Sequence, residues 1–142
     1  MKFEELIEKG EVRRAFQDIS LIKALVKTAK ADLEYLNELE INEKSSRKIV
    51  VGYYDVLRSI LEAIASFDGY KIYSHEAFTY FLKEKDEEVL SIKFDRFRKI
   101  RNSISYYGKN ISVEETKENV EEIKNITDIL INKYLRGVYE KK

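Results

Sequence analysis

The chain has 142 residues, 26 basic and 26 acidic, so it has the length of one domain and no bulk charge that announces a nucleic-acid binder. Cysteine is absent and histidine occurs once, as His75, which excludes disulfides, thiol catalysis, iron–sulfur clusters and a zinc site rich in nitrogen ligands. Proline is absent and glycine occurs five times, too few turn residues for a sandwich or barrel.

Helical periodicity then runs through the chain. Residues 2–9 suit an amphipathic turn or two, ended by Gly10. From Asp18 to about Glu40, Ile22, Leu25, Val26, Ala29, Leu33 and Leu36 form one helix face, with Asp18 or Ser20 as its cap. The polar stretch 42–46 reads as a turn. In the next helix, about 46–68, Val50, Tyr53, Tyr54, Leu57, Ile60, Leu61 and Ile64 make one face, and Ile49, Val56, Ala63 and Phe67 widen it. So broad an apolar surface places this helix at the centre of a bundle, or buries it again in an oligomer. Gly69 suits the left-handed residue after its end. Lys48–Val51 has strand-like composition, but it lies inside the helical period.

Ser74 caps a short helix over 75–85 with Phe78, Phe81 and Leu82 inward. A long helix from about Asp86 to Tyr106 opens on Asp86-Glu87-Glu88, which matches the positive end of the helix dipole, and closes at Gly108. Ser112 and Glu115 form a capping box for the last helix, which continues through Val120, Ile123, Ile126, Leu130 and Tyr134 to about Tyr139. Connections are short, so neighbours pack antiparallel. The expected fold is all-α, an up-and-down bundle of four to five helices in a single domain over 1–142, with residues 1–17 as a short N-terminal helix or arm.

No 18 apolar residues run together and the first residues lack the apolar core of a signal peptide, so the expectation is a cytoplasmic protein with no membrane span. Abundant Lys, Glu and Ile resemble the balance of proteins from hot environments, although AT-rich coding favours Lys and Ile as well. No glycine-rich phosphate loop is present. A carboxylate di-metal site needs Glu-x-x-His pairs, and Ile72 stands three residues before the single His75; no metal and no cofactor are expected.

The most informative segment is Phe94–Gly108. Leu90, Phe94, Phe97 and Ile104 form an apolar stripe, and the position that would complete it is Arg101. An arginine there must find a carboxylate, a carbonyl or an anionic ligand. Glu62, Asp55 and Asp32 are candidate acids. Arg98, Asn102 and Tyr106 form a polar ridge beside it. Between Lys93 and Lys109 six cations face one acid, Asp95, while both flanking stretches are acidic. Such a basic helix end can hold a phosphate, although many basic helix clusters are simply solvated faces.

Arg101-Asn102, followed by the aromatic Tyr106 on the penultimate long helix, resembles the signature of the HEPN family (higher eukaryotes and prokaryotes nucleotide-binding domains). The upstream segments Tyr54–Ile64, Phe67–Lys71 and Ser74–Phe78 resemble prokaryotic members in order and spacing, and the resemblance covers about residues 20–136. It implies a helical homodimer in which the Arg-Asn motifs of both chains meet in a cleft. It implies an RNA- or nucleotide-binding module, in some members the partner of a minimal nucleotidyltransferase in a toxin–antitoxin-type pair. In other members it implies a metal-independent ribonuclease. On that pattern Arg101 contacts the phosphate, Asn102 orients it and Glu62 holds Arg101. Arg98, Tyr107, Lys109 and His75 are further candidate ligand-binding residues, with Tyr107 or Tyr106 a target for nucleotide transfer. Tyr106 stands where the family carries its histidine. A tyrosine with a pKa near 10 is a poor base at neutral pH. His75 would replace the missing histidine only if folding brings it near. A third reading is a bundle that serves only association, with Arg101 in a structural ion pair.

Overall fold

A computed structural model describes residues 2–140, with side chains through Val138. It is a helical bundle with one small antiparallel ribbon. In chain order the elements are α1 (Phe3–Glu8), β1 (Val12–Arg14), α2 (Ile19–Glu38), α3 (Ser46–Phe67), β2 (Tyr70–Ile72), α4 (His75–Glu84), α5 (Glu88–Tyr107) and α6 (Val113–Leu130). A π-helical turn over Ile131–Leu135 then leads into α7 (Arg136–Glu140).

The capping residues act as their side-chain chemistry requires. Asp18 accepts from the backbone N–H of Leu21, Ser74 from Ala77 and Ser112 from Glu115. At α6 the Glu115 carboxylate accepts from the Ser112 hydroxyl at 3.4 Å. Ser112→Ala is expected to cost about 0.5–2 kcal/mol. Urea unfolding at neutral pH measures it, and a cost below the error of the fit would show that this cap is dispensable.

Helix α3 is central. It packs on α2, α4, α5, α6 and β2. Its wide apolar surface is thereby used within one chain: Ile49, Val50, Tyr53, Tyr54, Val56, Leu57, Ile60, Leu61, Ala63 and Ile64 are all buried. The width therefore needs no second copy to explain it. Phe67, expected on the inner surface, is 37% exposed at the last residue of α3. Gly52 lies against Leu36, where an added Cβ would meet Leu36 Cδ2 at 2.8 Å, which allows α2 and α3 to approach closely.

Three sequence expectations need correction. The first concerns the strands. Val12 pairs with Ile72, Arg13 with Lys71 and Arg14 with Tyr70, in a ribbon that helical periodicity did not reveal. Each strand has only three residues, too few for an alternation to stand out. Phe3, Leu6 and Val12 join the common core, and the Phe3 ring meets Tyr70 edge-on at 5.1 Å, so the N-terminal arm is part of the domain. The second concerns α5, which starts at Glu88, because Asp86 adopts φ 60° and breaks the helix. Glu87 turns instead to the π-helical segment, accepting hydrogen bonds from Lys133 at 2.7 Å and from Tyr134. The third concerns the last helix, which is not continuous to residue 139 but is interrupted by the π-helical turn.

No helix among the described residues is long and apolar enough to cross a membrane.

Candidate functional site

The site is built where α3, the start of α4 and the second half of α5 converge. Tyr54 is fully buried on α3. Its ring stacks on Phe94 of α5 at 5.5 Å and on His75 of α4 at 5.7 Å. The Tyr54 hydroxyl and His75 Nδ1 lie 2.9 Å apart. The Arg101 guanidinium sits 5.9 Å from the Tyr54 ring centre and 5.1 Å from that of Tyr106, within cation–π range of both. Folding thus brings His75 and Arg101 to one tyrosine, though they are far apart in sequence.

Among the described residues Arg101 has no acidic partner. Its Nη1 donates to the Tyr106 hydroxyl at 2.9 Å and to Asn102 Oδ1 at 3.3 Å, and its Nε is buried without any partner. Among the described residues no carboxylate lies within ion-pair distance of it. This corrects the expectation for Glu62, which pairs with Arg58 at 3.4 Å and Lys71 at 2.8 Å. The expected structural ion pair of Arg101, with Glu62, Asp55 or Asp32, is likewise not formed.

The other cations of α5 are neutralised. Arg98 and Lys99 both hold Asp95, at 2.8 and 3.1 Å, and Lys93 and Arg96 reach Glu122 on α6. Burial pushes the Asp95 carboxyl up, but hydrogen bonds from Arg98 and Lys99 outweigh it and hold the group below the usual carboxylate range. Arg98 is therefore committed to Asp95. Tyr107 and Lys109 are exposed and make no hydrogen bond, ion pair or ring contact with the Arg101 group. Of the residues expected at the site, folding assembles Arg101, Asn102, Tyr106 and His75, with Arg98 beside them, and leaves Glu62, Tyr107 and Lys109 apart.

The electrostatics are positive. Burial first, then Arg58 and Arg101, lower the His75 pKa, against a weaker opposing effect of Asp55. Burial raises that of Tyr54. At neutral pH both are uncharged. Tyr54 is buried and His75 is its hydrogen-bond partner, so the tyrosine proton is satisfied only by donation to Nδ1. That fixes the tautomer with the proton on Nε2. His75 then offers a neutral N–H donor at Nε2, which has no protein partner among the described residues. Tyr106, having accepted from Arg101, likewise keeps its own O–H to donate. The site is a set of donors around one unneutralised cation, which is the chemistry of anion binding.

His75 also sets a pH dependence. Its folded pKa lies below the unfolded value of 6.5. Acidification therefore protonates the unfolded chain first, and stability that is complete above pH 6.5 is lost as pH falls from there through the folded pKa. Glu87 and Asp95, also depressed, lose stability only below their unfolded values of 4.5 and 3.8. Unfolding midpoints measured from pH 7.5 to 5 should fall for the parent and stay flatter for His75→Asn, whose amide oxygen can still accept from Tyr54. Equal slopes would remove His75 as the cause.

Tyr54 is the residue that sequence reasoning missed. Its place on the apolar face of α3 marks it as a core residue, but nothing local marks it as the link between α4 and α5. Asp95 was legible, since it stands three and four residues before the cations that it holds. Among the described residues no cluster of three or more His, Asp or Glu could hold a metal ion. The chain matches no protein-family model, no curated protein and no solved structure.

Proposed function

We propose that the chain is a HEPN-like helical module that binds RNA or a nucleotide by placing a phosphate against Arg101. The observation that carries this is the guanidinium held by two neutral oxygens, with a buried Nε that has no partner and, among the described residues, no carboxylate within ion-pair distance. A half-buried arginine with a buried, unpartnered Nε and no ion pair is open to completion by an anion. A phosphate oxygen would accept from Arg101, from the Tyr106 hydroxyl and from His75 Nε2–H. As part of the same proposal, two copies bring their Arg101 sites together, and the natural partner is a minimal nucleotidyltransferase.

A second reading, metal-independent RNA cleavage, is favoured by the position of His75 beside Arg101. It requires an unprotonated Nε2 to take the proton of the attacking 2′-hydroxyl. That tautomer would place the proton on Nδ1 and leave the buried Tyr54 hydroxyl proton without an acceptor. Binding without cleavage is therefore the better-supported reading. Both are tested by titrating purified protein with mononucleotides and with a mixed structured RNA in chelator, and then examining the RNA on a gel. Saturable binding with intact RNA is expected. RNA cut by the parent protein but not by Arg101→Ala would transfer the assignment to ribonuclease, and no binding of any ligand at about a millimolar would defeat both.

A further inference from the structure

The ribbon that packs on the end of α3 carries a second constellation. An open groove of about 700 Å³ is lined by Arg13, Arg14, Phe16, Lys71 and Tyr73, and also by the acids Asp18 and Glu62. Phe16 is 99% exposed and Tyr73 54% exposed. Phe16 is not on a loose end. Its neighbours are pinned, with the Ala15 N–H donating to the Gly69 carbonyl at 2.8 Å and Gln17 Nε2 to the Phe67 carbonyl at 2.9 Å. An anchored backbone thus holds an apolar ring in water. Directly across the ribbon, Arg13 faces Lys71, a like-charge cross-strand pair that disfavours the ribbon unless an anion or acid intervenes. Glu62 answers Lys71, and Arg58 shares Glu62, while Arg13 and Arg14 form no ion pair among the described residues and instead contact Tyr73 and Tyr70.

The groove and the Arg101 site are both carried by α3. Tyr54, Arg58, Glu62 and Ser66 follow one another at intervals of four along α3, the first at the Arg101 site and the last two in the groove. Tyr54 to Ser66 spans about 18 Å of helix, which is the length of roughly five stacked nucleotides at ~3.4 Å each.

We propose that the β1–β2 ribbon is a second binding subsite, for single-stranded nucleic acid, with bases stacking on Phe16 and Tyr73 and phosphates meeting Arg13 and Arg14. It rests on the Arg101 reading only for the strand's other end. Exposed aromatics interleaved with arginines are what sequence-tolerant strand binding uses. One nucleotide is long enough for only one of the two sites, whereas an oligomer of about five or more matches their separation along α3.

Fluorescence anisotropy with labelled RNA and DNA strands of 2, 6 and 12 nucleotides, beside a mononucleotide competitor, tests it. The 6- and 12-mers should bind well above the dinucleotide, and tight binding of either sugar type supports the subsite. Phe16→Ala should weaken the 12-mer by roughly 5- to 150-fold, the worth of one lost base stack. Phe16→Tyr should preserve binding, and Phe16→Leu should not. Arg13→Gln should flatten the logarithmic salt dependence by about 0.7. With its ring in solvent, Phe16→Ala should melt with the parent, which separates binding from folding. A 12-mer bound equally by parent and Phe16→Ala would overturn the proposal, as would full retention by Phe16→Leu, since that would mark an apolar docking patch. Sensitivity to Arg101→Ala alone would sink the ribbon subsite and leave the Arg101 reading standing. Sensitivity to Phe16→Ala alone would do the reverse.

Discussion

Replacing Arg101 with alanine is expected to weaken nucleotide or RNA binding by about 10- to 150-fold, the equivalent of the 1.5–3 kcal/mol carried by hydrogen bonds to a charged group. The effect should be this large because Arg101 is the one cation of α5 lying within the cluster of Tyr54, His75 and Tyr106 that no acid neutralises. Arg101→Lys should recover only part of the loss, since an ammonium cannot keep the planar contacts with Tyr54 and Tyr106 while donating in two directions. Stability should move the other way from a structural ion pair. With no partner carboxylate left behind, Arg101→Met should unfold at or above the urea midpoint of the parent. Isothermal titration and urea unfolding on the same preparations check both halves. A destabilised Arg101→Met with unchanged binding would show a packing role for Arg101 and end its assignment as the phosphate group.

Phe94→Ala should produce the largest loss of stability, about 3–5 kcal/mol, the usual cost of emptying a buried phenylalanine site. Phe94 is 1% exposed, stacks on Tyr54 and meets Phe78 edge-on at 6.1 Å. It is thus the packing element that holds α5 to both α3 and α4. Its loss also frees the ring that aligns His75 with Arg101, so ligand affinity should fall together with stability although Phe94 is too deep to touch a ligand. Phe94→Leu, which keeps most of the volume, should cost less than about 1.5 kcal/mol and retain most binding. Denaturant unfolding paired with ligand titration reads both. A cost below about 1 kcal/mol for Phe94→Ala would mean that the three helices are held together elsewhere.

Much of this architecture was legible in the residues. The apolar period placed α2, α3 and α6, and it singled out Arg101 as a charge interrupting the stripe of Phe94, Phe97 and Ile104, which are buried as expected. Asp18, Ser74 and Ser112 were readable as caps, because a short polar side chain before an apolar period satisfies orphan backbone N–H groups. Glycines Gly10, Gly69 and Gly108 each take the positive φ that ends an element. These are local properties, decided by residues within one or two turns of each other.

What the sequence could not yield was every relation between distant segments. The pairing of Val12 with Ile72 depends on a ribbon closed across 60 residues. Glu62 was a candidate partner for Arg101 because it lies on the central helix, yet Arg58, four residues away, and Lys71, brought in by β2, claim it. His75 was an isolated residue after a cap until α4 packed beside α3 and set its ring on Tyr54. Local hydrogen bonding and periodicity determine which segments become helices and which face of each is apolar. The meeting of His75, Tyr54 and Arg101 was decided only when three helices buried those faces together, because side-chain burial and charge pairing belong to the packed assembly and not to any one stretch of chain.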